Sequence, residues 1–181
     1  MKKILYFAAA ALLGLASCCG GNNNNNGSTC CSNSVCYPEG SPVAKYGSLK
    51  VVGNQLCDEA GNPVQLAGMS THGWQWCPDC YTAESVELLV KDWNINILRF
   101  ALYVEEEGYN TDPEKFRTKL CEIVDLCEKM GIYCLVDWHI LTPGNPLDPK
   151  YAGAQEFFQF MANKYANKKH VLFEICNEPN N

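Results

Sequence analysis

The chain has 181 residues and a net charge of -6, with 47% hydrophobic and 19% charged residues. This is ordinary globular composition, enough to bury a core and of a length that fits one domain. The acidic balance speaks against nucleic acid and anionic membrane surfaces as partners, since both reward a basic face; a neutral polymer such as a polysaccharide is compatible with it.

The N-terminus reads as an export signal. Met1-Lys2-Lys3 is a short basic stretch, residues 4–15 are almost wholly apolar, and Leu15-Ala16-Ser17 offers small residues for cleavage. The apolar run is shorter than the roughly 20 residues of a membrane span. Residues 1–17 are therefore expected to be a signal peptide. Leu15-Ala16-Ser17-Cys18 resembles the bacterial lipoprotein box, which implies acylation of Cys18 and anchoring to the cell envelope; the alternative is a plain secretory signal and a secreted product. Residues 18–42 form a polar, low-complexity tether with five asparagines in a row at 22–26. Such sequence cannot bury enough apolar surface to offset its ordering entropy and is expected to be disordered.

The globular pattern starts at residue 43. A hairpin is expected first, from 48–52 and 55–58 around Gly53-Asn54, placed to plug the bottom of a barrel. Four near-continuous apolar runs follow at 64–69, 95–102, 132–136 and 171–176, the texture of strands covered on both faces. Between them lie stripes of period 3.6: Val86, Leu89, Val90 and Trp93; then Phe116, Leu120, Ile123, Val124 and Cys127; then Tyr151, Ala154, Phe158, Met161 and Tyr165. Asp112-Pro113 and Asp148-Pro149 each place a capping carboxylate before a first-turn proline, and Gly131 fits a C-cap. Strands alternating with helices give an α/β fold with a parallel sheet. An open doubly wound sheet and a (β/α)8 barrel both fit. No glycine-rich phosphate loop follows the first strand, which weakens the nucleotide-binding option. A barrel typically needs about 250 residues, so four strands would be its N-terminal half.

The 12 cysteines are permissible as disulfides in an exported protein. His72, Cys77 and Cys80 have a zinc-like spacing but lack a fourth ligand; a local Cys77–Cys80 disulfide or free thiols are the other readings. Cys134 and Cys176 lie in apolar runs and read as small core residues.

Chemistry in a barrel sits at the C-terminal ends of the strands. Each of the four expected strands ends in polar or aromatic groups: His72-Gly73-Trp74-Gln75-Trp76; Arg99 and Tyr103; Asp137-Trp138-His139; and Glu174 followed by Asn177-Glu178. Glycoside hydrolysis needs one carboxyl group to protonate the leaving oxygen and a second carboxylate opposite. Glu178, beside Asn177, is placed for the first role and would need an environment that raises its pKa. Arg99 would hold the opposing carboxylate ionised, and flat aromatic faces suit the apolar C–H faces of sugar rings. Taken singly these residues have plainer readings: Arg99 as an ion-pair partner of Asp137 or Glu174, His139 as a satisfied core histidine, Trp74 and Trp76 as loop packing, Glu178 as a cap of the next helix.

Together the residues resemble glycoside hydrolase family 5, specifically its bacterial endo-β-1,4-glucanases. The matching stretches are Gly61-Asn62-Pro63-Val64-Gln65-Leu66-Ala67-Gly68-Met69-Ser70, His72-Gly73-Trp74-Gln75-Trp76, Ile97-Leu98-Arg99-Phe100-Ala101-Leu102-Tyr103, Asp137-Trp138-His139 and Asn177-Glu178-Pro179-Asn180. The resemblance implies a (β/α)8 barrel, a retaining mechanism and a β-glucan substrate such as cellulose. It makes Glu178 the general acid/base and Asn177 the partner of the sugar 2-hydroxyl. Arg99 and His139 would support the catalytic carboxylates, and His72, Trp76 and Tyr103 would line the sugar subsites. It implies packing for Trp138, no metal or organic cofactor, and a monomer at full length. Within this reading 43–181 is the N-terminal part of the catalytic domain, and the nucleophile lies beyond it. Glu174, four residues back along the same strand, would be roughly 13 Å from Glu178 at about 3.3 Å per residue. The 181 residues alone are therefore expected to be inactive and not to fold stably. Mannan, xyloglucan, mixed-linkage glucan and xylan are alternative substrates for the same machinery. A glycan-binding surface lipoprotein and a metal-dependent hydrolase built on His139 and Asp137 are the rivals from other classes.

Overall fold

The computed structural model describes residues 36–180. The expected signal peptide, Cys18 and most of the tether lie outside the described residues. Helix α1 (Pro42–Tyr46) is a short turn led by proline and capped by Ser41, whose hydroxyl accepts from Ala44 N. Strands β1 (Lys50–Val52) and β2 (Gln55–Cys57) pair antiparallel around Gly53-Asn54, so the expected hairpin is present.

Four parallel strands follow: β3 (Gly68–Ser70), β4 (Ile97–Tyr103), β5 (Tyr133–His139) and β6 (Val171–Glu174). They lie side by side in the order β3-β4-β5-β6. Helices α2 (Ala83–Asp92), α3 (Pro113–Met130) and α4 (Ala154–Tyr165) form the crossovers. Each strand neighbours the next in sequence. This is the progression of a barrel wall; a doubly wound sheet reverses its order at a switch point. Among the described residues β3 and β6 each pair on one side only.

Strand β3 is shorter than its apolar run. Residues 64–67 are held outside the sheet, with Val64 N donating to Leu56 O of the hairpin and Ala67 N donating to the Asn96 side chain. Apolar composition alone did not separate this lead-in from the strand.

The parallel register sorts side chains by parity, because alternate residues point to opposite faces. Ser70, Arg99 and Leu135 are in register, as are Leu135 and Leu172. One step further along, Ala101, Asp137 and Glu174 share a level, and Tyr103 meets His139 at the strand ends. The other parity faces the helices. Leu98, Phe100 and Leu102 of β4, with Cys134, Val136 and Trp138 of β5, are buried in one core with the stripes of α3 and α4. In α3, Phe116, Leu120, Ile123, Val124 and Cys127 are all buried, as their spacing predicts. Full burial stabilises by about 1.5–3 kcal/mol for each large apolar side chain, which makes α3 the main wall of the core.

Helix α3 begins and ends where its sequence says. Asp112 accepts from Lys115 N, and Gly131 sits at φ 69°, a left-handed C-cap that suits glycine. Three other expectations are corrected. Asp148-Pro149 starts a 3-10 turn (Pro149–Tyr151), not α4, which opens at Gly153 without a side-chain cap. The buried stripe of α4 is Phe157, Met161 and Tyr165, with Tyr151 packed from the preceding turn. Trp93 ends α2 as its C-cap and is 62% exposed, so it does not extend the apolar stripe. Cys134 is a core residue and Cys176 is partly buried against the core.

The N-terminal arm closes the end of the sheet where the strands begin. Val43 N donates to Gly131 O, and Tyr133 OH donates to Gly47 O at 2.6 Å. Lys169, just before β6, pairs with Glu59 beyond the hairpin at 2.7 Å. His170 is fully buried and holds Tyr37: the imidazole Nδ1 lies 3.2 Å from Tyr37 OH and Nε2 lies 3.1 Å from Val124 O. Tyr37 OH also accepts from Lys169 N. This set is satisfied by a neutral ring protonated on Nε2, with Tyr37 donating to Nδ1.

Burial pushes the His170 imidazole below its ordinary range, opposed by Glu128 and Asp125 and reinforced by Lys168. The unfolded chain therefore takes up this proton at higher pH, near about 6.5, than the folded chain does. Stability from this residue is full above that value and is lost as pH falls toward the lowered folded pKa. In the chain extended to the length of a full barrel, urea unfolding between pH 7.5 and 5 should show stability falling with pH, and His170→Gln should flatten that slope.

Candidate active site

The C-terminal ends of β3, β4, β5 and β6 bring the predicted groups together. At the centre is Arg99. Its Nε and Nη2 donate to the two carboxylate oxygens of Glu174 at 2.7 and 2.8 Å. Nη2 also lies 2.8 Å from Asp137 Oδ2 and donates to Asn177 Oδ1 at 3.0 Å, while Nη1 donates to Ser70 Oγ at 3.1 Å. A planar fork with five donors can serve this many acceptors at once; a lysine ammonium cannot. Both Asp137 and Glu174, the two partners weighed from sequence, are engaged.

The electrostatics follow from this geometry. The hydrogen bonds from Arg99 hold the Glu174 carboxyl below its usual range, and the same bonds raise Arg99 further. Asp137 is fully buried, and burial pushes its carboxyl up against the opposing pull of His139 and Arg99. Its Oδ2 is shared between Arg99 and His139 Nδ1, the latter at 2.6 Å, while Oδ1 has no hydrogen-bond partner. A carboxylate acceptor calls for an N–H on His139 Nδ1.

Asn177 is buried and its amide is oriented from both sides. Oδ1 accepts from Arg99, and Nδ2 donates to Ile140 O at 3.0 Å. One N–H of the amide remains for a ligand hydroxyl. Glu178 follows immediately, with an exposed side chain and φ 39°. Three of the four non-glycine residues with positive φ among the described residues stand at this end of the sheet: Glu106, Glu107 and Glu178. Strain of this kind costs about 1–3 kcal/mol per residue and gathers at functional sites.

Beside the ionic network lies an aromatic floor. Ring centroids of Trp76 stand 4.8 Å from both His72 and Tyr103, and Tyr103 stands 4.2 Å from His139. Trp76 is 48% exposed and is the open face of the group. Trp74, by contrast, packs edge-on against Phe116 and under Lys115. Trp138 is buried among Tyr109, Phe157 and Phe158. The site therefore unites His72, Trp76, Arg99, Tyr103, His139, Asn177 and Glu178 at one end of the sheet.

Cys77 and Cys80 are disulfide-bonded, which removes them as zinc ligands beside His72. Among the described residues no group of three or more His, Cys, Asp or Glu side chains is arranged to hold a metal ion. Sequence reasoning missed Glu106. It faces His139 electrostatically, its carboxyl is pushed up by burial and by Glu105, and its backbone oxygen accepts from Gln75 Nε2 at 3.0 Å. Its place in a run of three glutamates hid it: Glu105 turns instead to Asn110 and Lys150.

The network gives a direct test. Arg99→Met leaves Asp137 buried without its cation, and breaking a buried pair in this way costs about 3–5 kcal/mol. Denaturant unfolding of the chain extended to the length of a full barrel should show a loss of that order, with Arg99→Lys recovering only part of it. Stability of either variant within 0.5 kcal/mol of the parent would mean that the network does not hold the strands.

The sequence pattern of the family "Cellulase (glycosyl hydrolase family 5)" matches residues 57–181. Endoglucanase E-5 of Thermobifida fusca is 49% identical over 143 residues, which cover 78% of this chain and 30% of that protein. Cellulase CelDZ1 of a Thermoanaerobacterium species is 46% identical over 138 residues, covering 74% of this chain and 36% of that protein. Among solved structures, the cellulase Cel5C_n superposes with a TM-score of 0.76 at 49% identity, over 81% of this chain and 47% of that one. The catalytic domain of the Thermobifida fusca endoglucanase Cel5A, solved in complex with cellotetraose, superposes with a TM-score of 0.75 at 48% identity, over 77% of this chain and 46% of that one. The chain thus spans about a third of the length of these curated relatives and just under half of the solved domains.

Proposed function

The chain belongs to the cellulase family, glycosyl hydrolase family 5, and from that membership we propose that it carries the acid/base side of an endo-β-1,4-glucanase active site on the first four strands of a (β/α)8 barrel. The observation that carries the proposal is the joining of two things at one end of the sheet. One is an aromatic floor with an exposed Trp76; the other is an ionic network that orients Asn177 beside an exposed Glu178. A solved relative bound to cellotetraose supports a β-1,4-linked glucan as the ligand.

In the proposed reaction the glucan lies on Trp76 with Tyr103 and His72 at its edges. The free N–H of Asn177 donates to a ring hydroxyl. Glu178, protonated, gives its proton to the glycosidic oxygen as the bond to the leaving sugar breaks. A second carboxylate, about 5–5.5 Å away, attacks the anomeric carbon from the opposite side. Water then displaces this carboxylate with Glu178 acting as base. Neither Glu174 nor Asp137 is suited to the attack: Arg99 holds both oxygens of Glu174, and Asp137 is buried between Arg99 and His139. The attacking carboxylate is proposed to come from the part of the domain that the solved relatives have beyond the portion matched here. Arg99, Asp137 and His139 set the electrostatic surroundings and the amide orientation of Asn177. The chemistry proposed uses side chains alone.

Measured on this chain extended to the length of the solved domains, Glu178→Gln should lower kcat on carboxymethylcellulose by about 10²–10⁴, the range of general acid–base catalysis. A release of reducing ends that is indifferent to this change would remove Glu178 from the chemistry. The 181 residues by themselves should release none. Mannan cleaved in preference to carboxymethylcellulose would keep the machinery and replace the substrate.

The same proposal includes export. Residues 1–17 have the layout of a signal peptide, and Cys18 has the position of an acylated cysteine. No helix among the described residues is long and apolar enough to cross a membrane. Labelled palmitate should be incorporated by the wild-type chain in a bacterial host and lost in Cys18→Ala; labelling that persists in the variant, or is absent from both, rejects the anchor.

A further inference from the structure

The loop between β3 and α2 contains a covalent link whose position gives it a task beyond holding the loop together. Cys77 and Cys80 are disulfide-bonded, while Cys57, Cys121, Cys127, Cys134 and Cys176 carry free thiols. Cys77 directly follows Trp76, the exposed face of the aromatic floor. Cys80 directly precedes Tyr81, which is buried, donates its hydroxyl to the His72 carbonyl and meets Phe100 of the core edge-on. The disulfide therefore fastens the neighbour of a ligand-facing ring to the neighbour of a core ring.

Among the described residues little else holds Trp76. Its ring contacts are the edges of His72 and Tyr103, each at 4.8 Å. Its backbone N–H reaches Gly73 O at 3.2 Å. The indole lies against the bare Cα of Gly73: a Cβ there would come within 2.6 Å of Trp76 Cε3. Between the two cysteines the chain makes a single 3-10 turn (Pro78–Cys80), with no side-chain cap at Cys77. An isolated turn of this kind is marginal without a tertiary or covalent tie.

We propose that the Cys77–Cys80 disulfide is a positioning element for Trp76, so that the glycan affinity of the mouth depends on the oxidation state of this pair. The inference rests on the reading of the aromatic floor as a β-glucan subsite. Reduction by a dithiol moves two electrons and two protons. The S–S bond breaks, Cys77 and Cys80 become thiols, and the reductant closes to its own disulfide. Trp76 is then ordered by the ligand instead of in advance, and that ordering cost weakens binding. Arg99 and His139 stand on β4 and β5, and Asn177 and Glu178 follow β6, so all four keep their places; in the chain extended to the length of the solved domains KM rises while kcat stays.

The test, made on the chain extended to the length of the solved domains, compares oxidised protein, dithiol-treated protein and the Cys77→Ser/Cys80→Ser variant, with the state of each cysteine mapped by alkylation and mass spectrometry. Cellotetraose binding is followed by tryptophan fluorescence. The dissociation constant should rise about 3–10-fold in both the reduced and the serine forms, the range set by ordering one large side chain. In a Trp76→Ala background the same treatments should have no further effect. Equal affinity in the oxidised and reduced forms overturns the proposal, as does an undiminished effect in the Trp76→Ala background. Amide hydrogen exchange of residues 74–81, read without sugar, separates this inference from the glucan reading. Exchange that quickens on reduction in a protein that does not bind cellotetraose removes the glucan reading and leaves the disulfide as the element that orders Trp76. Exchange that does not change on reduction overturns the positioning role whatever the sugar data show.

Discussion

A guanidinium on the inner face of a sheet must be met by enough acceptors to offset its desolvation, and the four strands are arranged around that demand. Arg99 projects from the middle of β4 and is answered by Ser70 from β3, Asp137 from β5, Glu174 from β6 and Asn177 just beyond it. The pairing is diagonal. Arg99 is in register with Leu135, while Asp137 and Glu174 stand one inward-facing level nearer the strand ends, so the arginine reaches upward from an apolar layer into a polar one. Two carboxylates against one cation leave this layer with an excess of negative charge. His139 Nδ1 lies 2.6 Å from Asp137 Oδ2 in the same layer. The orientation of the Asn177 amide, and through it the start of the segment that carries Glu178, is a consequence of this charge balance.

The parity of the strands keeps this charged layer apart from the core. In β5 the sequence Cys134, Val136, Trp138 faces the helices while Tyr133, Leu135, Asp137 and His139 face inward. A one-residue slip would put Asp137 and His139 into the hydrophobic core and Trp138 into the mouth, an exchange so unfavourable that the register is strongly specified. The chemistry and the core are thus encoded in alternate positions of the same seven residues. This is why a strand covered on both faces can still deliver charged groups to one end.

Helix α3 was legible in full because its stripe, its Asp112 cap and its Gly131 stop agree with one another. The four strand ends were legible because polar and aromatic residues interrupt apolar runs at the same relative place four times. Where one signal stood alone, it misled. Asp148-Pro149 has the composition of a helix start, but the turn it caps breaks at Gly153 before α4 begins. Trp93 has the spacing of a core residue but falls after the last helical turn, where the stripe no longer faces the sheet. Residues 64–67 are apolar enough for a strand, yet their backbone groups go to the hairpin and to Asn96. Asp137 and Glu174 were named from sequence as partners of Arg99, but that both are engaged at once, the burial of Asp137 and the place of Glu106 depend on contacts between residues far apart in sequence, and no local pattern announces those. The Cys77–Cys80 link was one of three open readings, since spacing alone does not distinguish a bridge from thiols or from metal ligands.

The chain enters the fold through Tyr37, Ser41 and Val43, against His170 and Gly131, where the strands start. Glu178, Trp76 and His139 stand where the strands finish. Entry and mouth are therefore opposite poles of the sheet. A label or support fixed at Tyr37, where the described chain enters, is therefore held at the pole away from Glu178, Trp76 and His139 and leaves those side chains uncovered.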